Sequence, residues 1–246
     1  MTNKYMYFIA NWKMYGNTKS LNTLDKVIKF SKSKEIKKGR LIYCPPNTLI
    51  SSFFKKFQKC LIDIGAQNCH ENDDYGPHTG FVNCKMLKNI GANYVIIGHS
   101  ENREKGETDK LINQKIKSAI RAKLKVILCI GETLSEKKRG KTKSVLSKQI
   151  KLCLDKVNKK TNLFIAYEPV WSIGTGKIPK ITELKDSIKF IKSKFNKKIP
   201  KILYGGSVSP KNINSLKMIK DLDGFLIGGA SQNSKNFIDI VKKTYN

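Results

Sequence analysis

The stretch "AYEPVWSIGTGK", Ala166 to Lys177, holds a single carboxylate, Glu168, between two unlike segments. An apolar, strand-like run, Leu163 to Tyr167, precedes it, and Pro169, Val170, Trp171 and a Gly-Thr-Gly tip follow. An acid fixed by a buried strand and followed by a segment able to bend is a candidate for acid/base chemistry. Other polar residues stand at comparable places. Asn11 and Lys13 follow the first apolar run, and His99 and Glu101 follow the fourth. Gly205 and Gly206 end the seventh run, with Ser207 next, and Gly228 and Gly229 end the eighth. Alone, each is ordinary: a solvated lysine, a structural histidine, a glycine turn. Brought to one place, they form an acid/base site with an anion pocket.

The elements that would bring them together are legible as short apolar runs: 5–10, 40–44, 60–66, 93–98, 125–130, 162–167, 201–206 and 224–229. They are rich in Ile, Val, Leu, Phe and Tyr without strict alternation, as expected of strands buried on both faces of a parallel sheet. Amphipathic helical patterns lie between them, at 20–32, 108–124, 145–157 and 181–195, and "NSKNFIDIVKKTY" closes the series. Thr182 is read as the cap of the 181–195 helix. Eight strand-then-helix units without a linker predict an α/β fold, one closed (β/α)8 barrel domain over residues 1–246. The rival is a doubly wound open sheet, whose GxGxxG after the first strand is replaced here by "NWKMYG". In such a barrel the working residues sit at the C-terminal ends of the strands, where the polar residues above cluster.

"NWKMYG", "GHSENRE", "AYEPVWSIGTGK", "YGGSV" and "FLIGGAS", in this order, resemble the triosephosphate isomerase family over essentially the whole chain. The resemblance implies interconversion of dihydroxyacetone phosphate and D-glyceraldehyde 3-phosphate through an enediolate, in glycolysis and gluconeogenesis, with no cofactor and no metal. It implies that Glu168 is the base. It implies that His99 is an electrophile, kept neutral by the N-terminus of a short helix that disfavours imidazolium. Lys13 and Asn11 would supply donors to the developing negative charge. Glu101 would hold Lys13 or His99 in place. The phosphate would lie on the backbone N–H groups of Gly174, Ser207, Gly228 and Gly229, with Asn11 and Lys13 near the substrate. Residues 169–177 would form a lid: Pro169, Val170 and Trp171 the hinge, Ile173 the cover, Gly174, Thr175 and Gly176 the tip, and Lys177 its end. Tyr204 and Ser207 would receive the closed lid, which excludes water. His70 and His78 are read as loop residues.

The resemblance also implies a homodimer in which the loop 69–80 inserts Thr79 near the partner's Asn11 and Lys13. Here the chain departs from the family. Phe81 stands where the family carries Glu, Asn102 where it carries Arg, and Tyr15 where it carries Asn. The first two would be ion-pair partners across the interface. Their joint loss avoids stranding one buried charge, and Phe81 packing is expected in its place.

Composition narrows the remaining classes. No apolar run approaches the roughly 20 residues of a membrane span, so no membrane partner is expected. The N-terminus does not read as a signal peptide. The six cysteines show no CxxC or metal spacing, which reads as free thiols in a reducing cytoplasm. The net charge of +29 could mark a nucleic-acid surface. Only four of the basic residues are arginine, and the lysines are spread along the chain, which reads instead as a solvated surface. Two further readings stay open at this level: another phosphate-binding barrel isomerase or epimerase, and a basic nucleic-acid-binding protein.

Overall fold

The computed structural model describes residues 4–36, 38–157, 163–196 and 199–246. Eight strands form one closed, all-parallel barrel in sequence order. They are β1 (Met6–Asn11), β2 (Gly39–Cys44), β3 (Ile62–Ala66), β4 (Tyr94–Ile97), β5 (Lys125–Ile130), β6 (Leu163–Tyr167), β7 (Lys201–Tyr204) and β8 (Gly224–Ile227). The helices between them are α1 (Asp25–Ser31), α2 (Ile50–Phe57), α3 (Cys84–Asn89), α4 (Ser100–Glu104), α5 (Asp109–Arg121), α6 (Leu134–Lys138), α7 (Thr142–Cys153), α8 (Ile181–Ser193), α9 (Ile213–Leu216) and α10 (Ser234–Tyr245). The expected (β/α)8 architecture is therefore present. Among the described residues, no helix is long and apolar enough to cross a membrane.

Strand parity divides the core in two. One parity of every strand but β3, including Ile9, Ile42, Ile96, Ile127, Ala166, Leu203 and Leu226, forms an inner cluster. The other parity, including Phe8, Leu41, Val95, Leu128, Ile165 and Tyr204, packs with the helices. This is why the runs lack alternation: both parities are buried, one inside the barrel and one under the helices. At the N-terminal end the inner face turns polar, and Arg40 grips Asp63 with two hydrogen bonds of 2.6 and 2.9 Å.

Several boundaries differ from those expected. The run 20–32 starts as a 3-10 helix, Thr18–Leu24, because Asn17 accepts from the Lys19 and Ser20 amides in a capping box. The helix expected at 145–157 begins earlier, at Thr142, and ends at Cys153. Thr182 is not a cap: α8 begins at Ile181, with Lys180 at the N-cap and no side-chain cap bond. Strands β7 and β8 end at Tyr204 and Ile227, before the glycine pairs, although the Gly205 N–H still donates to the Tyr167 carbonyl at 2.9 Å. Asn162, placed at the start of the sixth run, lies outside the described residues.

Closure of the barrel depends on Gly224, which pairs with both Tyr7 and Leu203. A Cβ there would lie 2.1 Å from the Tyr7 carbonyl oxygen, a backbone atom that cannot step aside without breaking the β1–β8 seam. Gly224→Ala is expected to lower stability by an amount at or above the upper end of roughly 1–3 kcal/mol. Urea unfolding followed by circular dichroism measures this, and an unchanged midpoint would contradict it.

Candidate active site

Parity also aims the chemistry. Asn11 shares the inner face of β1 with Ile9, and Glu168 shares that of β6 with Ala166, one residue past the strand's end. The Glu168 amide continues the ladder by donating to the Ile130 carbonyl at 2.8 Å. The carboxylate therefore sits at the C-terminal mouth, only 2% exposed. Two glycines make room for it. A Cβ on Gly131 would lie 1.8 Å from the Glu168 carbonyl oxygen, and one on Gly205 would lie 2.6 Å from its Cγ. Gln149 holds Gly131 from both sides, accepting from its N–H at 2.9 Å and donating to its carbonyl at 3.1 Å.

His99 is 5% exposed and forms the N-cap of α4. Its Nδ1 accepts from the Glu101 N–H at 3.3 Å. An amide only donates, so Nδ1 carries no proton in this arrangement and the ring proton sits on Nε2. That nitrogen lies 3.6 Å from Glu168 Oε1.

Lys13 has a left-handed backbone, φ +52°, which costs a non-glycine residue roughly 1–3 kcal/mol. Three contacts hold it there. Its N–H donates to Asn11 Oδ1 at 3.0 Å, and the Gln67 amide donates to its carbonyl at 2.7 Å. Its Nζ meets Glu101 Oε1 at 2.5 Å, while Glu101 Oε2 stands 3.7 Å from His99 Nδ1. Glu101 thus touches both groups it was expected to hold. Asn11 is buried and turns its oxygen toward Lys13, which leaves its NH2 free as a donor.

A cavity of about 230 Å3 joins these groups to the loops after β6, β7 and β8. Asn11, Lys13, His99 and Glu168 line one part; Ile173, Gly174, Gly176, Ser207, Gly228 and Gly229 line another. Glu101 instead lines an adjoining cavity with Met14, Gln67 and Asn102. The segment 169–177 lies docked over the mouth. Trp171 Nε1 donates to Glu132 at 3.1 Å, and Lys137 Nζ stands 4.0 Å over the indole. The Gly176 N–H donates to Ser207 Oγ at 3.1 Å, and that hydroxyl donates to the Ser172 carbonyl at 2.6 Å. Thr175 Oγ1 donates to the Ser172 carbonyl at 3.2 Å and accepts from Lys177 N–H at 3.2 Å. Pro169 is buried; Val170 and Lys177 are exposed.

Thr79 and Phe81 stand apart from this cluster. Phe81 is 64% exposed, its ring 4.9 Å from that of His70, which in turn stacks on His78 at 4.5 Å. Among the described residues, no group of three or more His, Cys, Asp and Glu could hold a metal ion.

Several contributors were not evident from the sequence. Glu132 bonds Tyr167 and Trp171. Gln67 holds the Lys13 carbonyl. Ser172 joins the lid to β7 through the Tyr204 hydroxyl. Cys129 contacts Glu168 from the inner layer of the barrel. Burial pushes the Glu168 carboxyl up from the ordinary carboxylate range, against the opposing pull of His99, the Cys129 thiol, Lys13 and the Ser100 amide.

Fold and site together define a (β/α)8-barrel enzyme with its site at the C-terminal mouth. A family profile for triosephosphate isomerase matches residues 6–244. Triosephosphate isomerases of Bradyrhizobium diazoefficiens and Mycoplasmopsis pulmonis are 38% and 40% identical to this chain, covering 98% and 97% of it and 99% and 97% of their own lengths. The crystal structure of triosephosphate isomerase from Bartonella henselae superposes with a TM-score of 0.88 at 35% identity, covering 98% of this chain and 100% of that one. The chain belongs to the triosephosphate isomerase family.

A carboxyl whose pKa is raised on folding binds its proton more tightly in the folded chain. Stability then falls as pH rises from the ordinary carboxylate range through the raised value. Glu168→Gln removes that loss. At about pH 8 this variant is expected to melt at a higher temperature than the wild type, with the gap narrowing toward about pH 4. Calorimetry across pH tests it, and a variant less stable than wild type at about pH 8 contradicts it.

Proposed function

We propose that this chain interconverts dihydroxyacetone phosphate and D-glyceraldehyde 3-phosphate, with Glu168 moving the proton between the two carbons. One observation carries the assignment of the base. Glu168 Oε2 is buried with no hydrogen-bond partner among the described residues, beside a cavity that also holds His99 and Lys13. A buried, under-solvated carboxylate is a stronger base than one in water.

Glu168 takes the proton from the carbon next to the carbonyl. Negative charge then develops on the substrate oxygens. His99 Nε2–H, the Lys13 ammonium and the Asn11 amide are donors already fixed around that point, so little reorganisation accompanies the transfer. Glu168 returns the proton to the neighbouring carbon, and His99 and Glu101 keep the donors in register. The phosphate occupies the part of the cavity lined by Gly174, Ser207, Gly228 and Gly229, where glycine backbone permits close approach. The lid, residues 169–177, excludes water from the enediolate and so opposes loss of its phosphate.

The working unit in this reading is a cytoplasmic homodimer. Met14 is 94% exposed, and Tyr15, Tyr75 and Phe81 are also exposed, an apolar set that suits burial against a second copy. With Phe81 and Asn102 in place of the family's ion pair, packing rather than charge holds the two copies together.

Two measurements test these assignments. Shortening the acid in Glu168→Asp withdraws the carboxylate from the substrate carbon, so kcat falls by at least roughly tenfold, and further in Glu168→Ala. Isomerisation of glyceraldehyde 3-phosphate is the assay, and equal rates in all three would remove Glu168 as the base. Size-exclusion with mass measurement across dilution is expected to show a dimer at micromolar concentration that persists in high salt. A monomer there refutes the dimer.

A further inference from the structure

One buried hydroxyl at the mouth has no part in the chemistry described so far. Ser172 lies within the lid segment and is fully buried. Its Oγ contacts three partners: the Lys177 carbonyl at 2.6 Å, the Tyr204 hydroxyl at 2.9 Å and the Ser207 N–H at 3.4 Å. A hydroxyl has one proton to give. The Lys177 carbonyl can only accept, so that proton goes to Lys177. The Ser207 amide can only donate, so it points at Ser172. The Tyr204 hydroxyl must then donate to Ser172 as well, which settles the direction of that bond.

The backbone is shaped around this junction. A Cβ on Gly206 would lie 2.3 Å from the Tyr204 hydroxyl and 2.6 Å from Ser172 Oγ. Only glycine at 206 leaves space for the pair. The Tyr204 side chain is fully buried, so its O–H has no route to solvent when Ser172 is removed.

We propose that Ser172 is the positioning residue that latches the lid, its hydroxyl tying the first and last turns of the lid to each other and both to β7. The bond to Lys177 closes the lid on itself. The bonds from Tyr204 and Ser207 fasten that closed loop to the strand that also borders Glu168 through Gly205. Ser172 does not itself line the reaction cavity; it acts through Ile173, Gly174, Gly176 and Ser207, which do. This inference rests on the isomerase reading above.

Ser172→Ala removes the acceptor and strands the Tyr204 donor only when the lid is docked. Loss of kcat/KM by roughly tenfold is expected. More of the enediolate should then meet water, so inorganic phosphate released per turnover should rise. Tyr204→Phe removes the donor but leaves Ser172 its other two bonds, and a smaller loss in the same direction is expected. The double variant should be no worse than Ser172→Ala alone, because no donor is left stranded.

Steady-state isomerisation, phosphate release and unfolding midpoints on the four full-length proteins read all of this. Wild-type kcat/KM and phosphate release in Ser172→Ala overturn the latch. So does a rate loss that comes with a lowered unfolding midpoint and unchanged phosphate release, since that marks a structural serine only. Full additivity of the two single losses overturns it too. Should Ser172→Ala fail to fold, Tyr204→Phe carries the test, and its indifference is fatal. A wild type with no isomerase activity defeats the parent reading, whereas an active wild type with an indifferent Ser172→Ala defeats only this one.

Discussion

The structure is organised around one unfavourable act: keeping the Glu168 carboxylate out of water without satisfying it. A carboxylate taken into a protein interior normally recruits donors for both oxygens, which makes it stable and chemically dull. Here Oε2 has no hydrogen-bond partner among the described residues. The opposing pull of His99, Cys129, Lys13 and the Ser100 amide is present but does not cancel the effect of burial. The balance leaves a poorly solvated carboxyl that holds its proton more tightly than one in water. The rest of the mouth prevents the two easy escapes, which are rotation of the side chain toward solvent and entry of water to it. Gly131 and Gly205 clear a slot no wider than the glutamate, and the docked lid closes over it.

The same economy explains Lys13. A left-handed backbone at a lysine is unfavourable, and nothing in the local sequence requires it. The conformation persists because Asn11, Gln67 and Glu101 over-determine it, gripping the N–H, the carbonyl and the ammonium in turn. Gln67 also donates to the Cys44 carbonyl at 2.8 Å, which ties the Lys13 turn to the end of β2. Asn11 comes from the end of β1 and Lys13 from just past it, Gln67 from just past β3, and His99 and Glu101 from just past β4. The donors around the cavity are thus positioned by closure of the barrel, and the site cannot be assembled from any one βα unit.

How much of this could be read in advance follows from the range of each cause. The strands were legible because a parity that is buried on both faces leaves a local mark: Ile and Val without polar alternation. Glu168, His99, Asn11 and Lys13 were legible because they stand directly after such runs. Strand ends were placed less well, since a ladder stops where its neighbour turns away, and "YGG" and "IGG" look extendable until the glycines leave the sheet. The cap of the first helical segment is not legible because Asn17 lies upstream of the apolar pattern, and Thr182 resembles a cap by its side chain although the backbone is already helical at Ile181. Cys129, Gln149, Glu132 and Gln67 gave no local signal. Each matters only through a neighbour dozens of residues away, brought near by the barrel.

The lysine surplus raises a last physical question: how a chain of +29 net charge keeps an acid as its base. A uniform positive field would stabilise the carboxylate anion and weaken its basicity. Screening decides the matter. At physiological salt the Debye length is about 8 Å, so exposed lysines on the outer helices contribute little at the bottom of the mouth. A minority are also paired locally, as Lys137 is with Glu183, Lys192 with Asp221 and Lys242 with Glu35. The ammonium that lines the cavity is Lys13, and its strongest partner is Glu101 at 2.5 Å, which holds the cation on the side of the site where substrate oxygens would gain charge. The surplus is thus spread where it meets solvent. The local charge at the reacting centre is set by Lys13, Glu101 and Glu168, close enough to outweigh everything beyond the rim.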